Sequence, residues 1–388
     1  MATWDFYGYE DVLNPVEREA IEEIREFFER EVAPIADDYW SRAEFPTQLI
    51  PGLAGIGVLG SALPETRRFE SRAPYRGWAA MEMARVDTSV SGFVGIQSGL
   101  VMGAIGVGGS HEQKERWLPG LSRGELIGSF GLTEPLSGSD SARGLRTTAT
   151  RHGDSWTIDG AKRWIGNGTM ADIVIVLARD TGDGEVKAFV VPTSAPGFSA
   201  SRIEGKIALR MVQNADIELR GVRVDESDRL PGIESFRDVA TVLRLTRAEV
   251  AWQAVGTSIG AYEAAIAYAV QREQFGKPIA GHQLVQDLLV KCLGNITASI
   301  GMCLQVSRLL DDGRQTDAHA ALAKSYATSR MRETVAWSRE ILGGNGIVLD
   351  FGVARHFADA ESVYSYEGTN QMNSLIVGRA ITGIAAFA

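Results

Sequence analysis

The apolar period of this chain changes twice. Up to about residue 128, and again from about residue 236, apolar residues return at helical intervals; between 129 and 235 they alternate or cluster in short runs. In that middle zone residues 156–158, 172–177, 185–191 and 215–224 read as strands. Gly153-Asp154, Asp159-Gly160 and the Thr-Gly-Asp-Gly run at 181–184 supply turn chemistry between them. The expected fold class is therefore α+β, with an N-terminal helical domain (1–128), a middle antiparallel β domain (129–235) and a C-terminal helical domain (236–388). Strands do not alternate with helices, which argues against a doubly wound sheet. The glycines of Gly106-Val107-Gly108-Gly109 follow no expected strand and are not read as a dinucleotide loop. At the start, Asn14-Pro15 with Glu17 has the form of a helix N-terminus, and Ile21, Ile24, Phe28 and Val32 follow one face until Pro34, where the helix is expected to stop.

Composition narrows the function classes. A net charge of −10 gives no basic face for nucleic acid. It leaves room for a phosphate-bearing ligand held locally by a few arginines. Cys292 and Cys303, eleven apart in a helical stretch, are expected as buried free thiols, and the chain is expected to be cytoplasmic. Its first residues are acidic and aromatic, unlike a signal or transit peptide, and its last three are not a peroxisomal address. The apolar run at 250–270 carries Gln253 and Glu263 and reads as a bundle helix rather than a membrane span.

Several chemistries lack their residues. The five histidines are scattered without partners at ligand spacing, so no metal site is expected, and neither a GxSxG elbow nor a Walker loop is present. What remains suggests a bound organic cofactor. Four stretches have a suitable form. SFGLTEPLSGSD (129–140) surrounds Gly131 and Gly138 with small hydroxyl residues that allow close backbone approach. KRWIGNG (162–168) offers Trp164 to a flat ring. QREQFGKPI (271–279) places Arg272 near Phe275, and ILGGNGI (341–347) is rich in glycine. Each alone has an ordinary explanation as a connector, a core tryptophan, a helix end or a turn. A single carboxylate, Glu367, then follows in SYEGTNQMN (365–373), where capping or solvation would be the ordinary role.

In this order, TEPLSGSD, QREQFGKPI, LGGNG and YEGT resemble the motifs of the acyl-CoA dehydrogenase family, and the resemblance spans nearly the whole chain. It implies a C-terminal four-helix bundle at the centre of a homotetramer, FAD as cofactor, an acyl-CoA thioester of short to medium chain length as substrate, and electron-transfer flavoprotein as acceptor. It further implies that Phe130, Leu132, Thr133, Gly138, Ser139, Trp164, Ile165 and Gly166 line the FAD of the same subunit. Arg272, Phe275, Gln283, Ile341, Leu342, Gly343, Gly344 and Asn345 would meet a neighbouring subunit's FAD, with Thr369 and Gln371 near the cofactor. Ser139, Arg247, Gly368 and Phe387 would contact acyl-CoA. Glu367 matches the base that removes the C2 proton while hydride leaves C3 for flavin N5. Some branches place the base on the first bundle helix, where this chain has Thr246, which cannot serve; Glu367 is then the one candidate.

Branch features conflict. The run from LGGNG to the C-terminus resembles glutaryl-CoA dehydrogenases, yet Ser91 and Ala84 stand where that resemblance puts an arginine and a glutamate for the distal carboxylate. KRWIGN, KIALRMVQN and DRLPG resemble plant short-chain acyl-CoA oxidases, which use O2. Gly166 occupies a position where most dehydrogenases of the family have a threonine, and its missing side chain is expected to leave space for oxygen beside the flavin. A scaffold that kept the fold but lost catalysis would be expected to lack Glu367 or the flavin motifs, and all are present.

Overall fold

The computed structural model describes residues 4–386. The N-terminal layer contains α1 (Pro15–Phe27), α2 (Ala33–Arg42), α3 (Ile50–Gly55), α4 (Ala73–Val86), α5 (Thr88–Val94), α6 (Gly103–Gly108) and α7 (His111–Ser122). Asn14 caps α1: its Oδ1 accepts from Glu17 N at 3.0 Å, and Glu17 Oε2 accepts from Asn14 N at 3.0 Å. Pro34 does not end the helical path. A π-helical turn over Phe28–Val32 reroutes the backbone hydrogen bonds, so the missing Pro34 N–H falls in the first turn of α2, where it is not needed. The GVGG glycines lie at the end of α6 rather than after a strand.

The middle domain is a seven-stranded sheet: β1 (Gly128–Gly131), β2 (Thr148–His152), β3 (Ser155–Ile165), β4 (Ile173–Asp180), β5 (Val186–Pro192), β6 (Phe198–Arg202) and β7 (Ala215–Asp225), with a one-turn helix α8 (Ser141–Gly144). The strand order is β1-β4-β2-β3-β7-β6, with β5 on the other edge of β4. Most pairings are antiparallel as expected, but β4 runs parallel to both β1 and β2. The residues explain its central place. β4 begins Ile-Val-Ile-Val-Leu-Ala, a continuous apolar run, and all six side chains are buried. Such a run suits a strand covered on both faces. One face packs with α6 and α7 around Ile105 and Leu118, and the other with Trp156 and Phe189.

The C-terminal layer is α9 (Phe236–Gln271), a small hairpin of β8 (Glu273–Gln274) and β9 (Lys277–Pro278), then α10 (Gln283–Asp311), α11 (Asp317–Ile341), α12 (Val353–Ser365) and α13 (Asn370–Thr382). At 36 residues α9 is about 54 Å long. It packs against α4, α10, α11 and α12 and so joins the two helical layers. Two glycines set its approach to α4: a Cβ at Gly256 would stand 2.1 Å from Met81 O, and one at Gly260 2.2 Å from Arg85 O. The apolar run 250–270 lies within α9 and much of it is buried, including Trp252, whose ring lies 6.0 Å from that of Trp78. The stretch 88–108 and α10 are also apolar enough, by length and composition, to cross a membrane. Cys292 and Cys303 are buried and unpaired, as read from their spacing.

Candidate active site

The N-terminal half of α9, the end of β1, the end of β3 and the turn between α12 and α13 enclose a cavity of about 810 Å³. Glu367 enters it from that last turn. Its φ of +54° and that of Gly368, +85°, are both left-handed. A non-glycine residue held there costs about 1–2 kcal/mol, so the surroundings must enforce the shape. Lys324 of α11 donates to Tyr364 O at 2.8 Å and to Gly368 O at 2.9 Å. Asn373 Nδ2 also donates to Gly368 O, at 2.8 Å, and Thr369 Oγ1 caps α13 by accepting from Met372 N. Tyr366 OH donates to Gln253 Oε1 at 2.7 Å. The side chain is then oriented: Thr246 Oγ1 donates to Glu367 Oε2 at 2.9 Å. Arg247 Nε donates to the Glu367 backbone oxygen at 3.4 Å.

Burial pushes the Glu367 carboxyl above its usual range, opposed by the Thr246 hydroxyl, Arg247 and Lys324. The same environment lowers Lys324 to about 8, mainly by burial. Two further carboxylates line the cavity: Glu361, which is paired with Arg332, and Glu249. Glu249 is pushed up to about 7 by burial and by the proximity of Glu367, with Arg76 opposing. The sequence reading took Glu367 as the one acidic candidate and missed Glu249. The signal was available, since residues 246, 249, 250 and 253 recur on one face of a helix and all line the cavity.

A largely apolar set of residues from β1, β3 and the loop after β1 completes the lining. Phe130, Leu132, Thr133, Gly138, Ser139, Ile165 and Gly166 belong to it. Trp164 joins them at an irregularity at the end of β3: the register with β7 shifts between Lys162 and Ile165, Trp164 takes φ +63°, and the residue is 52% exposed. The TEPLSGSD loop is braced from behind by Glu134, which accepts from Arg146 N at 2.7 Å, Thr147 N at 2.9 Å and Lys162 Nζ at 2.8 Å. Burial raises the Glu134 carboxyl, but these contacts with Lys162 and the amides outweigh it and hold the group below its usual value. The segment 205–209, with Val212 and Asn214, closes one side of the cavity. In the sequence this loop stands out only as the motif KIALRMVQN.

The space expected beside Gly166 is not there. A Cβ at Gly166 would stand 2.3 Å from Ile96 Cδ1, so a neighbouring aliphatic side chain occupies the position that a threonine would take. Ser91 is fully buried, with its hydroxyl on Ala80 O, and Ala84 is fully buried.

Other expected residues are not in this cavity. Arg272 and Asn345 line a separate hollow of about 490 Å³ with Tyr268, Asp350 and Phe351, and Asn345 Nδ2 donates to Tyr268 OH. Phe275, at the tip of the β8–β9 hairpin, is 95% exposed. Gln283, Gly343, Gly344 and Gln371 are exposed. Ile341 and Leu342 bury their side chains in the bundle core, so those side chains are spent on packing. Arg247 touches Glu367 without lining the cavity, and Thr369 and Gly368 do line it. Phe387 lies outside the described residues.

Three family models match in the order of the three layers: the acyl-CoA dehydrogenase N-terminal domain over residues 14–125, middle domain over 129–222 and C-terminal domain over 236–382. An acyl-CoA dehydrogenase of Bacillus subtilis (strain 168) is 32% identical over 366 residues, covering 93% of this chain and 96% of that one. The chain belongs to the acyl-CoA dehydrogenase family. It is an FAD-dependent oxidoreductase acting on acyl-CoA. A glutaryl-CoA dehydrogenase structure from Mycobacterium smegmatis is 38% identical, covers 98% of each chain and superposes with a TM-score of 0.94. A second from that organism, in complex with FADH2, is 34% identical, covers 100% of each chain and has a TM-score of 0.96.

The residues present suit the flavin. Half-exposed Trp164, held out by the irregular end of β3, and the apolar wall of Phe130, Leu132 and Ile165 form a face for a flat ring, and no side chain crowds the Cβ position of Gly138.

Proposed function

We propose that this protein desaturates an acyl-CoA of short to medium chain length to the 2-enoyl-CoA, with Glu367 as the base. The observation that supports this is the placement of one oriented carboxylate in the same cavity of about 810 Å³ as the apolar residues Phe130, Leu132, Trp164 and Ile165. FAD, when bound, accepts the hydride released from C3. Phe130, Leu132, Thr133, Gly138, Ser139, Trp164, Ile165 and Gly166 are the residues that would hold its ring and ribityl chain.

The remaining chemistry belongs to the chain. The Thr246 hydroxyl fixes the direction of Glu367 Oε2 and favours its anion, while burial makes that anion a stronger base than a solvated glutamate. Removal of the C2 proton leaves Glu367 neutral, which relieves its desolvation cost. Glycine at 368 lets the turn hold its left-handed shape with Asn373 packed close against it. The aliphatic lining of Ile96, Leu100 and Val250 excludes water from the acyl chain.

We read Arg272, Phe275, Gln283 and the 343–345 turn as the part of a homotetramer that reaches a neighbouring subunit's cofactor, because they are presented away from this subunit's own cavity. Electron-transfer flavoprotein is the acceptor we favour over O2, since Ile96 fills the space beside Gly166.

Similarity to the Mycobacterium smegmatis glutaryl-CoA dehydrogenases favours a second reading, glutaryl-CoA as substrate. Against it, among the described residues no arginine lines the cavity, and the one lysine that does, Lys206, donates to Leu209 O, Val212 O and Asn214 Oδ1. Anaerobic mixing of the holoenzyme with butyryl-CoA is expected to bleach the flavin and yield the 2-enoyl thioester. Absence of both with every acyl-CoA in a length series would overturn the proposal. A kcat/KM for glutaryl-CoA equal to that for butyryl-CoA would favour the second reading.

A further inference from the structure

Glu249 has no part in proton removal as described above, yet it faces the same cavity. It lies three residues beyond Thr246 on α9, about 4.5 Å further along the helix axis, with Gln253 one turn beyond it. Across from it the π-helical run Gly95–Met102 presents bare backbone at two positions. A Cβ at Gly95 would stand 3.4 Å from Glu249 Oε1, and one at Gly99 3.2 Å from Glu249 Oε2. The carboxylate is seated over two glycines, and any larger residue there would crowd it.

Among the described residues no hydrogen-bond donor is recorded to this carboxylate; burial and two charges alone set its state. The amide one turn further along α9 is already engaged, because Gln253 Nε2 donates to Ser91 O and its Oε1 accepts from Tyr366 OH. The charged groups facing Glu249 are Glu367 from the α12–α13 turn and Arg76 from α4. Arg76 does not line the cavity, and its Nη1 donates to Ser71 O. A half-enclosed acid with open lone pairs and no protein donor is costly unless a ligand completes it.

We infer that Glu249 is a specificity-determining residue of the acyl site, which accepts a hydrogen bond from a hydroxyl, amide N–H or ammonium borne by the acyl chain and turns away a distal carboxylate. The inference rests on the acyl-CoA reading above. Glu367 must reach C2, and Glu249, about 4.5 Å along α9 from the residue that orients Glu367, is within reach of a short acyl chain in the same cavity. The described residues that line this cavity include the acid Glu249 and no arginine that could meet a distal carboxylate.

The test is calorimetric binding at about pH 8.5, where Glu249 is mainly charged, to the FAD-loaded protein of S-butyl-CoA, S-(ω-hydroxybutyl)-CoA and S-(ω-carboxybutyl)-CoA. These thioethers lack the carbonyl and so cannot be desaturated. The wild type is expected to bind the hydroxyl probe about tenfold more tightly than the carboxylate probe. Glu249→Leu should reduce the preference for the hydroxyl over the butyl probe by about tenfold, since a site built for a hydroxyl loses its partner. Glu249→Gln keeps an acceptor oxygen without the charge; it should retain that preference and narrow the discrimination against the carboxylate. Affinity ratios unmoved in both variants would overturn the inference. Flavin bleaching by the corresponding acyl thioesters is recorded in parallel. Ratios that move without bleaching would uphold Glu249 and sink the dehydrogenase reading, whereas bleaching with unmoved ratios would do the opposite.

Discussion

Thr246 Oγ1 stands 2.9 Å from Glu367 Oε2, linking the first bundle helix to a turn 121 residues later. Thr246 cannot act as a base, but its hydroxyl steers the carboxylate that can. Thr246→Val conserves shape and removes the donor. Because that hydrogen bond lowers the Glu367 pKa, its loss should raise it further, moving the acid limb of the kcat pH profile to higher pH. A fall of about tenfold in kcat at neutral pH is expected, with FAD content unchanged. A pH profile that does not move would assign Thr246 to packing alone.

Glu367→Gln changes one oxygen to an amide. FAD and acyl-CoA should still bind, while flavin bleaching in a stopped-flow trace falls by several orders of magnitude. Bleaching at the wild-type rate would remove Glu367 from the role of base and direct attention to Glu249.

Gly166 and Ile96 form one steric unit. Gly166→Thr alone puts its Cβ 2.3 Å from Ile96 Cδ1, so FAD content and thermal stability should both fall. Pairing it with Ile96→Ala should restore them. Ile96→Ala by itself opens the space beside Gly166, and substrate-reduced enzyme should then reoxidise in air faster than wild type. Equal rates would show that Ile96 does not control oxygen access.

Asp359 carries a stability signature. Its Oδ1 accepts from Trp40 Nε1 at 2.8 Å and Leu209 N at 2.7 Å, while Oδ2 is buried without a partner. Burial, with Asp87 adding, pushes this acid up to about 7. Between roughly pH 4 and 7 the folded protein therefore keeps a proton that the unfolded chain has released, and its contribution to stability declines as pH rises through that window. Asp359→Asn keeps the acceptor oxygen and removes the charge. It should raise the denaturant midpoint at pH 8, by a free energy on the order of 2–4 kcal/mol, and leave it nearly unchanged near pH 4. An equal shift at both pH values would exclude titration as the cause.

Glu134 belongs to the TEPLSGSD motif and sits behind the cavity wall. Glu134→Ala strands the fully buried Lys162 and two backbone amides. A loss of about 3–5 kcal/mol in urea unfolding is expected. Lys162→Met together with Glu134→Leu should recover most of it, since an apolar pair of similar volume avoids burying unpaired charge. Failure of the double variant to recover would mean that the pair positions the loop through its charges.

By itself the sequence determined whatever repeats along a chain or depends on a local turn. The change of period separated helical from β zones, Asn14 and Glu17 specified a cap, and the apolar content of 250–270 read as a buried helix because Gln253 and Glu263 interrupt it. It could not show that Pro34 would be absorbed by a π-turn or that β4 would pair in parallel, since both depend on packing against elements distant in sequence. The site divides the same way. Phe130, Leu132, Thr133, Gly138, Ser139, Trp164, Ile165, Gly166 and Glu367 could be named from their motifs, which are contiguous. Glu249 and Ile96 sit in no motif: only the helical spacing from Thr246 pointed to Glu249, and no local pattern pointed to Ile96. Glu249 becomes a site residue only because α9 turns it toward Gly95 and Gly99, and Ile96 only because its helical run reaches the end of β3. Which side chains share a cavity is settled by tertiary packing, because the desolvation that raises an acid's pKa and the contact that fills a glycine's space both come from residues about 70 to 150 positions away.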